Sequence, residues 1–90
     1  MSKDELAQEI PGVNGGYPVV RGTSIPVRII VEFFRQSGSL EHLVELYPHV
    51  GRERLQDALD YYASNPARVD EDIERNARAW AEHRGAPWPA

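Results

Sequence analysis

Three residues of this 90-residue chain, His42, Glu45 and His49, lie close enough in sequence to resemble a metal site. Imidazole and carboxylate groups are common ligands of divalent metals, and the first two of these residues lie about one helical turn apart. Pro48 interrupts the helix before the third, so His49 would have to fold back to complete the site. The pattern therefore favours exposed polar side chains, and we predict no metal ligand.

No other group of residues has the spacing of a catalytic centre. The glycine-rich stretch GGYPVVRGTSIPV, residues 15–27, lacks both the GxxxxGK[ST] and the GxGxxG pattern of phosphate-binding loops. The serines and histidines show no spacing that indicates a nucleophile with its base. Because the chain has no cysteine, neither a thiolate zinc site nor a disulfide framework is available. We predict a protein that is not an enzyme and needs no cofactor.

Charge and size restrict the class of protein further. The formal net charge of −4 argues against the broad basic surface of a non-specific nucleic-acid binder. The first ten residues contain four charged side chains and no continuous apolar run, which predicts neither a signal peptide nor a membrane anchor. We therefore expect a single-domain cytoplasmic protein that does not bind a membrane.

Turn-forming residues dominate the segment at residues 10–25. The β-prone residues Val19 and Val20 lie between an Asn-Gly-Gly turn and an Arg-Gly turn, which predicts a β-hairpin arm. An isolated two-stranded hairpin is marginal in water, so the arm must pack on helices or pair with another subunit. We predict that Val19, Val20 and Ile25 organise a homodimer, and the alternative is that the arm folds back on its own helices.

Apolar residues recur with helical spacing between residues 26 and 65. The first helix is predicted over residues 26–36 and ends at Gly38, Ser39 caps a short second helix, and the third follows Gly51. The predicted core stripes are Val27, Ile30, Val31 and Phe34, then Leu40, Leu43, Val44 and Tyr47, then Leu55, Ala58, Leu59 and Tyr62. The expected fold is mainly α: a three-helix, homeodomain-like helix-turn-helix bundle with an N-terminal β-hairpin arm and a C-terminal fourth helix.

The third helix carries the candidate DNA-reading residues. In helix-turn-helix proteins the start of this helix meets base edges. Arg52, Arg54 and Gln56 lie there, off the apolar stripe, and arginine and glutamine suit guanine and adenine edges. Three carboxylates on the same helix oppose contact with phosphates, so a solvated helix without a DNA role stays the alternative.

Two more arginines, Arg21 and Arg28, flank the arm and are candidates for phosphate contacts. The alternative for both is an ion pair, either with Glu32 or with acidic residues of another subunit.

Residues 66–90 form a separate candidate segment for binding a partner. Asn65 and Pro66 predict the start of a fourth helix, with Asn65 as its N-cap. Glu71 with Arg75, and Glu74 with Arg78, are predicted to pair across one turn. Tryptophan is enriched at interaction hot spots, and the candidate partner-binding residues are Val69, Ile73, Ala77, Trp80 and Trp88.

The arm and the segment YPHVGRERLQDALDYYASN together resemble the DUF433 family, small helix-turn-helix proteins of bacteria and archaea. The arm matches the pattern G-G-x-P-V-x-x-G-T-x-I-P-V, and the resemblance extends from residue 13 to residue 65. The residues that carry it are Gly15, Gly16, Pro18, Val19, Gly22, Thr23, Ile25, Pro26, Val27, Tyr47 and Pro48.

This resemblance implies an antitoxin of a type II toxin–antitoxin system, similar to VapB-like proteins that accompany PIN-type ribonucleases. It implies a PIN-like ribonuclease as the partner and the promoter of the operon as a second ligand. On this hypothesis residues 1–65 form the dimerising helix-turn-helix domain and residues 66–90 bind the toxin. The alternative is a stand-alone helix-turn-helix regulator, or a DNA-associated adaptor, whose last helix serves its own core.

Overall fold

The structure is a computed structural model of the chain, and it describes residues 6–85, with side chains up to residue 82. Its α-helices in this range are α1 (Val27–Ser37), α2 (Leu40–Leu46), α3 (Arg52–Ser64) and α4 (Pro66–Gly85), and a short 3-10 helix lies at Asn14–Gly16. Two short strands, β1 (Ala7–Gln8) and β2 (Val19–Val20), precede the α-helices. The predicted mainly α fold with an N-terminal hairpin is confirmed. In this part of the chain no helix is both long and apolar enough to cross a membrane.

The helix ends follow the local signals of the sequence. Gly38 adopts a left-handed conformation with φ of 69°, which favours glycine, and its N–H donates to the Phe34 carbonyl oxygen at 2.6 Å. The Ser39 hydroxyl then accepts from the backbone N–H of His42 at 3.3 Å and caps α2. The predicted bounds of the first helix are therefore correct to within one residue.

Apolar residues of all four helices and of the arm form one core. α2, the turn after it and α3 make the helix-turn-helix, which packs against α1. The completely or almost completely buried apolar residues of the helices are Val27, Ile30, Val31, Leu43, Leu55, Ala58, Tyr61 and Val69. Tyr61, which lay outside the predicted stripe, is 2% exposed, whereas the predicted Tyr62 is only partly buried.

The pairing of the arm strands differs from the prediction. β2 pairs antiparallel with β1, with Ala7 opposite Val20 and Gln8 opposite Val19, so the main partner strand lies upstream of residues 10–25. A second, tighter turn lies inside the predicted arm: the Val20 N–H donates to the Ile25 carbonyl oxygen at 2.7 Å. β1 has two residues, neither of them β-branched or aromatic, so no local signal marked it as a strand.

The side chains predicted to organise a homodimer lie in the core of the single chain. Val19 and Val20 are 0% exposed, and Ile25 packs against the core. The arm therefore folds back on its own helices, which was the alternative prediction. Folding back is favourable because it removes the apolar surface of these valines from water without a second subunit. In this conformation Val19 and Val20 offer no side-chain surface to a second copy.

Candidate functional site

A buried carboxylate, Asp72 of α4, holds the fourth helix on the rest of the molecule. Asp72 is 1% exposed, and its Oδ2 accepts from Asn14 Nδ2 at 2.9 Å and lies 3.5 Å from Arg28 Nε. Its Oδ1 accepts from Arg75 Nη2 at 2.6 Å and from Arg75 Nε at 3.2 Å. Because a buried charge is costly unless it is paired, these contacts explain how α4 accommodates an acid on its inner face.

The arm completes this cluster through Tyr17. Two guanidinium groups lie over the Tyr17 ring, with Arg68 Cζ 4.2 Å and Arg75 Cζ 4.7 Å from the ring centroid. Such contacts attract a cation to the face of an aromatic ring. Gly15 adopts a left-handed conformation with φ of 61°, which favours glycine, and the Arg75 guanidinium lies beside it. Residues 14–17 and the first half of α4 thus form one polar interface.

The hydroxyl of Tyr17 donates to Glu71 Oε1 at 2.7 Å. This hydrogen bond and the negative charge of Glu71 raise the pKa of Tyr17 above the ordinary value of 10.0, while Arg68 and Arg75 act in the opposite direction. A group whose pKa is higher in the folded state than in the unfolded chain makes its full contribution to stability at pH values below the unfolded pKa. The contribution of Tyr17 is therefore present below pH 10.0 and is lost as the pH rises through its raised pKa.

We expect Glu71→Gln to lower the pKa of Tyr17 towards 10.0, because the substitution removes the charge that opposes the tyrosinate. The measurement is an NMR titration of the Tyr17 ring. Glu74→Gln, an exposed change on the same helix, is the matched control and should leave the titration unaltered. A Tyr17 pKa that is the same in the wild type and in Glu71→Gln contradicts the assignment.

Most of the candidate DNA-reading side chains contact acidic residues of the chain itself. Arg21 Nη2 lies 3.3 Å from Asp57 Oδ2, and Arg28 pairs with the buried Asp72 and not with Glu32. Gln56 and Arg52 are also engaged: Gln56 Nε2 donates to Asp60 Oδ1 at 2.9 Å, and Arg52 donates to Glu41.

The pair of Arg52 and Glu41 joins α3 to α2 at the surface. Their hydrogen bond lowers the pKa of Glu41 and raises the pKa of Arg52. Arg54 differs from the other candidates because it is exposed and has no acidic partner among the described residues. Its guanidinium lies over Gly22 in the turn of the arm. Among the arginines predicted to contact DNA, Arg54 is therefore the one that forms no ion pair with a carboxylate in the described part of the chain.

The candidate partner-binding residues of α4 separate into two groups. Val69 is 0% exposed and Ile73 packs against the core, so Val69 offers no surface to a partner in this conformation. Ala77 and Trp80 lie in the exposed half of the helix, and Trp80 is 54% exposed. Trp88 lies outside the described residues.

One local prediction for α4 is corrected. Arg75 pairs with Asp72 three residues earlier, while Glu71 accepts from Tyr17, so the predicted Glu71 pair with Arg75 gives way to other contacts. The helix begins at Pro66, directly after Asn65, as predicted. The Asn65 side-chain amide also donates to the Tyr61 carbonyl oxygen at 3.2 Å, at the end of α3.

The residues with ligand-like spacing do not converge. His42, Glu45 and His49 are all exposed. Among the residues with described side chains, no group of three or more His, Asp or Glu side chains is arranged to hold a metal ion.

Sequence reasoning missed the cluster around Asp72, although one signal was present. Asp72 follows Val69 by three positions and precedes Ile73, so it lies on the inner stripe of α4, where an acid needs a partner. The sequence near Asp72 does not indicate which residue is its partner, since Asn14 lies 58 positions away.

Comparisons with known proteins agree with this architecture. The family model described as "Protein of unknown function (DUF433)" matches residues 1–62. The crystal structure of a DUF433 member protein from Anabaena variabilis (ATCC 29413) is similar with a TM-score of 0.68 and 37% sequence identity, covering 76% of this chain and 67% of that one.

A curated relative, the uncharacterized protein y4eO of Sinorhizobium fredii (strain NBRC 101917 / NGR234), is 34% identical over 64 residues, which are 71% of this chain. The matched region spans 29% of that relative, so the two proteins differ greatly in length. The family model covers well over half of the chain and includes the arm, α1, α2 and most of α3. The chain therefore belongs to the DUF433 family.

Proposed function

We propose that this protein is the antitoxin of a type II toxin–antitoxin pair and that the second half of α4 binds a PIN-like ribonuclease. In this role the chain acts by binding, not by catalysis, and works in the cytoplasm. The resemblance of the arm and the helix-turn-helix to VapB-like proteins supports this class of partner. The exposure of the second half of α4 supports the choice of binding segment.

The observation that carries the proposal is the division of α4 into two halves. Its first half is anchored by Val69 and Asp72, which are 0% and 1% exposed. From residue 77 to residue 82 every side chain is exposed, and this stretch includes Trp80. A helix fixed at one end that presents an exposed tryptophan beyond its own core supplies the aromatic anchor typical of interface hot spots.

The test is co-purification of the tagged chain with the product of the neighbouring gene, expressed from the native locus. The recovered protein should cleave RNA when separated from this chain and should lose that activity when the chain is added back. We expect Trp80→Ala to weaken the complex by about 2 kcal/mol or more, the range of interface hot spots. Isothermal titration calorimetry with the separated ribonuclease measures the change.

Two further variants make the test specific. Glu82→Ala, an exposed change on the same helix, is the matched control and should bind nearly as well as the wild type. A chain ending at residue 76 keeps Val69, Asp72 and Arg75, so it should retain its helical circular dichroism while losing inhibition. Full inhibition by this shortened chain, or a neighbouring gene product without ribonuclease activity, contradicts the proposal.

A second candidate function, a stand-alone helix-turn-helix regulator or DNA-associated adaptor, is supported by Arg54. This exposed arginine near the start of α3 has no acidic partner among the described residues. If the protein is such a regulator, Arg54→Gln should weaken its binding to the promoter of the operon. Glu41→Gln should strengthen this binding, because it frees Arg52 from its ion pair with Glu41. Fluorescence anisotropy at two salt concentrations measures both effects, since phosphate contacts weaken with salt. Equal promoter affinity for all three proteins would contradict it.

A further inference from the structure

The arm contacts one face of α4 over about two helical turns. Arg68 Nη2 donates to the Gly16 carbonyl oxygen at 3.4 Å, and Arg75 Nη2 donates to the Asn14 side-chain oxygen at 3.3 Å. The Asn14 amide also donates to Asp72, so both polar atoms of this side chain bond α4. The residues of α4 in these contacts have the i, i+3, i+4, i+7 spacing of a single face, and they are Arg68, Glu71, Asp72 and Arg75.

The apolar contacts that dock α4 are few. Among the described residues, the core includes two apolar side chains of this helix, Val69 and Ile73, which lie about one turn apart. A helix on a protein surface usually buries about three to four apolar residues in two turns. Two side chains so close together fix the position of α4 on the core, but they leave the tilt of the helix to its polar contacts.

The arm contacts reach the end of the docked half of α4. Arg75 lies just before the exposed stretch at residues 77–82, whereas Asp70, which accepts from Tyr62 at 2.9 Å, lies nearer the start of the helix. Trp80 follows Arg75 by about 7.5 Å along the helix axis. Because one continuous helix joins both halves, any tilt of the docked half displaces Trp80.

We propose that residues 14–17 are a positioning site, which fixes the direction in which the exposed half of α4 leaves the molecule. The central residue of this site is Tyr17, whose ring lies against Arg68 and Arg75. The Tyr17 hydroxyl also donates to Glu71. Without the ring, both guanidinium groups lose the aromatic face that attracts them. The exposed half of α4 then samples several directions while the helix itself stays intact.

This positioning affects the binding of a partner, and here the inference rests on the proposed function of α4. A globular partner that binds Trp80 also faces the body of the molecule, so it accepts α4 in one direction. The apparent affinity falls with the fraction of molecules in which α4 has that direction. Tyr17 therefore acts on the affinity from outside the exposed half of the helix.

The direction of α4 is measured on the chain alone by pulsed electron paramagnetic resonance. Because the sequence contains no cysteine, Glu53→Cys and Ala81→Cys place one spin label at the start of α3 and one on the exposed half of α4. In this labelled chain the distances between the labels should form one narrow distribution. Tyr17→Leu should broaden it, since leucine is apolar but offers no aromatic face. Tyr17→Phe, which keeps the ring, should leave it narrow.

Tyr47→Leu is the matched control, because it makes the same change in a partly buried ring that packs against Phe33. It should lower stability without broadening the distribution, and circular dichroism should show that every variant is folded. The proposal is overturned if Tyr17→Leu leaves the distribution narrow. It is also overturned if Tyr17→Phe or Tyr47→Leu broadens the distribution as much as Tyr17→Leu does.

Titration with the separated ribonuclease tests the consequence for binding. Tyr17→Leu should raise the Kd by about fivefold or more, the lower end of typical couplings between distinct sites, and Tyr17→Phe should restore most of the affinity. An unchanged Kd in a variant whose distance distribution is broad overturns the role of this site in binding. If the wild type binds no ribonuclease, the proposed function fails, while the spin-label distances still decide whether residues 14–17 position α4.

Discussion

Replacing Asp72 with asparagine should lower the free energy of unfolding by about 3 to 5 kcal/mol, the cost of breaking a buried ion pair. The substitution keeps the size of the side chain but leaves Arg28, whose side chain is only 16% exposed, without its counter-charge. Arg75 loses the same partner, and the hydrogen bond that Asn14 donates to this position loses its charged acceptor. Urea unfolding followed by circular dichroism at neutral pH measures the loss.

Asp70→Asn is the matched control for this prediction. Asp70 lies on the same helix and also pairs with an arginine, Arg35, but its side chain is 51% exposed. Solvent screens such a pair, so we expect a loss below about 1 kcal/mol. Equal losses for the two substitutions would show that Asp72 is not the buried centre of the α4 interface.

We expect Leu55→Ala to lower the free energy of unfolding by about 2 to 5 kcal/mol. Leu55 is 0% exposed and lies in the first turns of α3, within the core that joins the helix-turn-helix to the rest of the fold. Removing its branched end both loses apolar burial and leaves a cavity that rigid neighbouring helices fill only in part.

Leu46→Ala provides the comparison, since Leu46 is 45% exposed at the end of α2. The same change of side chain there should alter stability by about 0.5 kcal/mol or less. The measurement is thermal or urea unfolding of both variants at low protein concentration. If the two alanine variants unfold alike, then Leu55 does not have the packing that the structure assigns to it.

These predictions differ in how far the sequence anticipated them. The burial of Leu55 follows from its position on an apolar stripe, and the sequence alone predicts it. The importance of Asp72 does not, because the same residue type two positions earlier is exposed. Only the structure distinguishes Asp72 from Asp70, because their environments depend on residues far away in the chain.

The sequence by itself determined the helices, their order and most of the core. Gly38, Ser39 and Pro66 mark helix ends through contacts within about four residues, and the apolar stripes have the period of one helix, so both signals are local. The arm motif similarly identified the family. No long-range information was needed for these features.

The tertiary structure alone decided which segments meet. It paired β2 with the unmarked strand β1, buried Val19 and Val20 in their own chain, and set Arg28 against Asp72 instead of Glu32. It also divided α4 into a docked half and an exposed half. The physical reason is that each of these features depends on partners many positions apart, and their choice follows from the packing of the whole chain and not from any local preference.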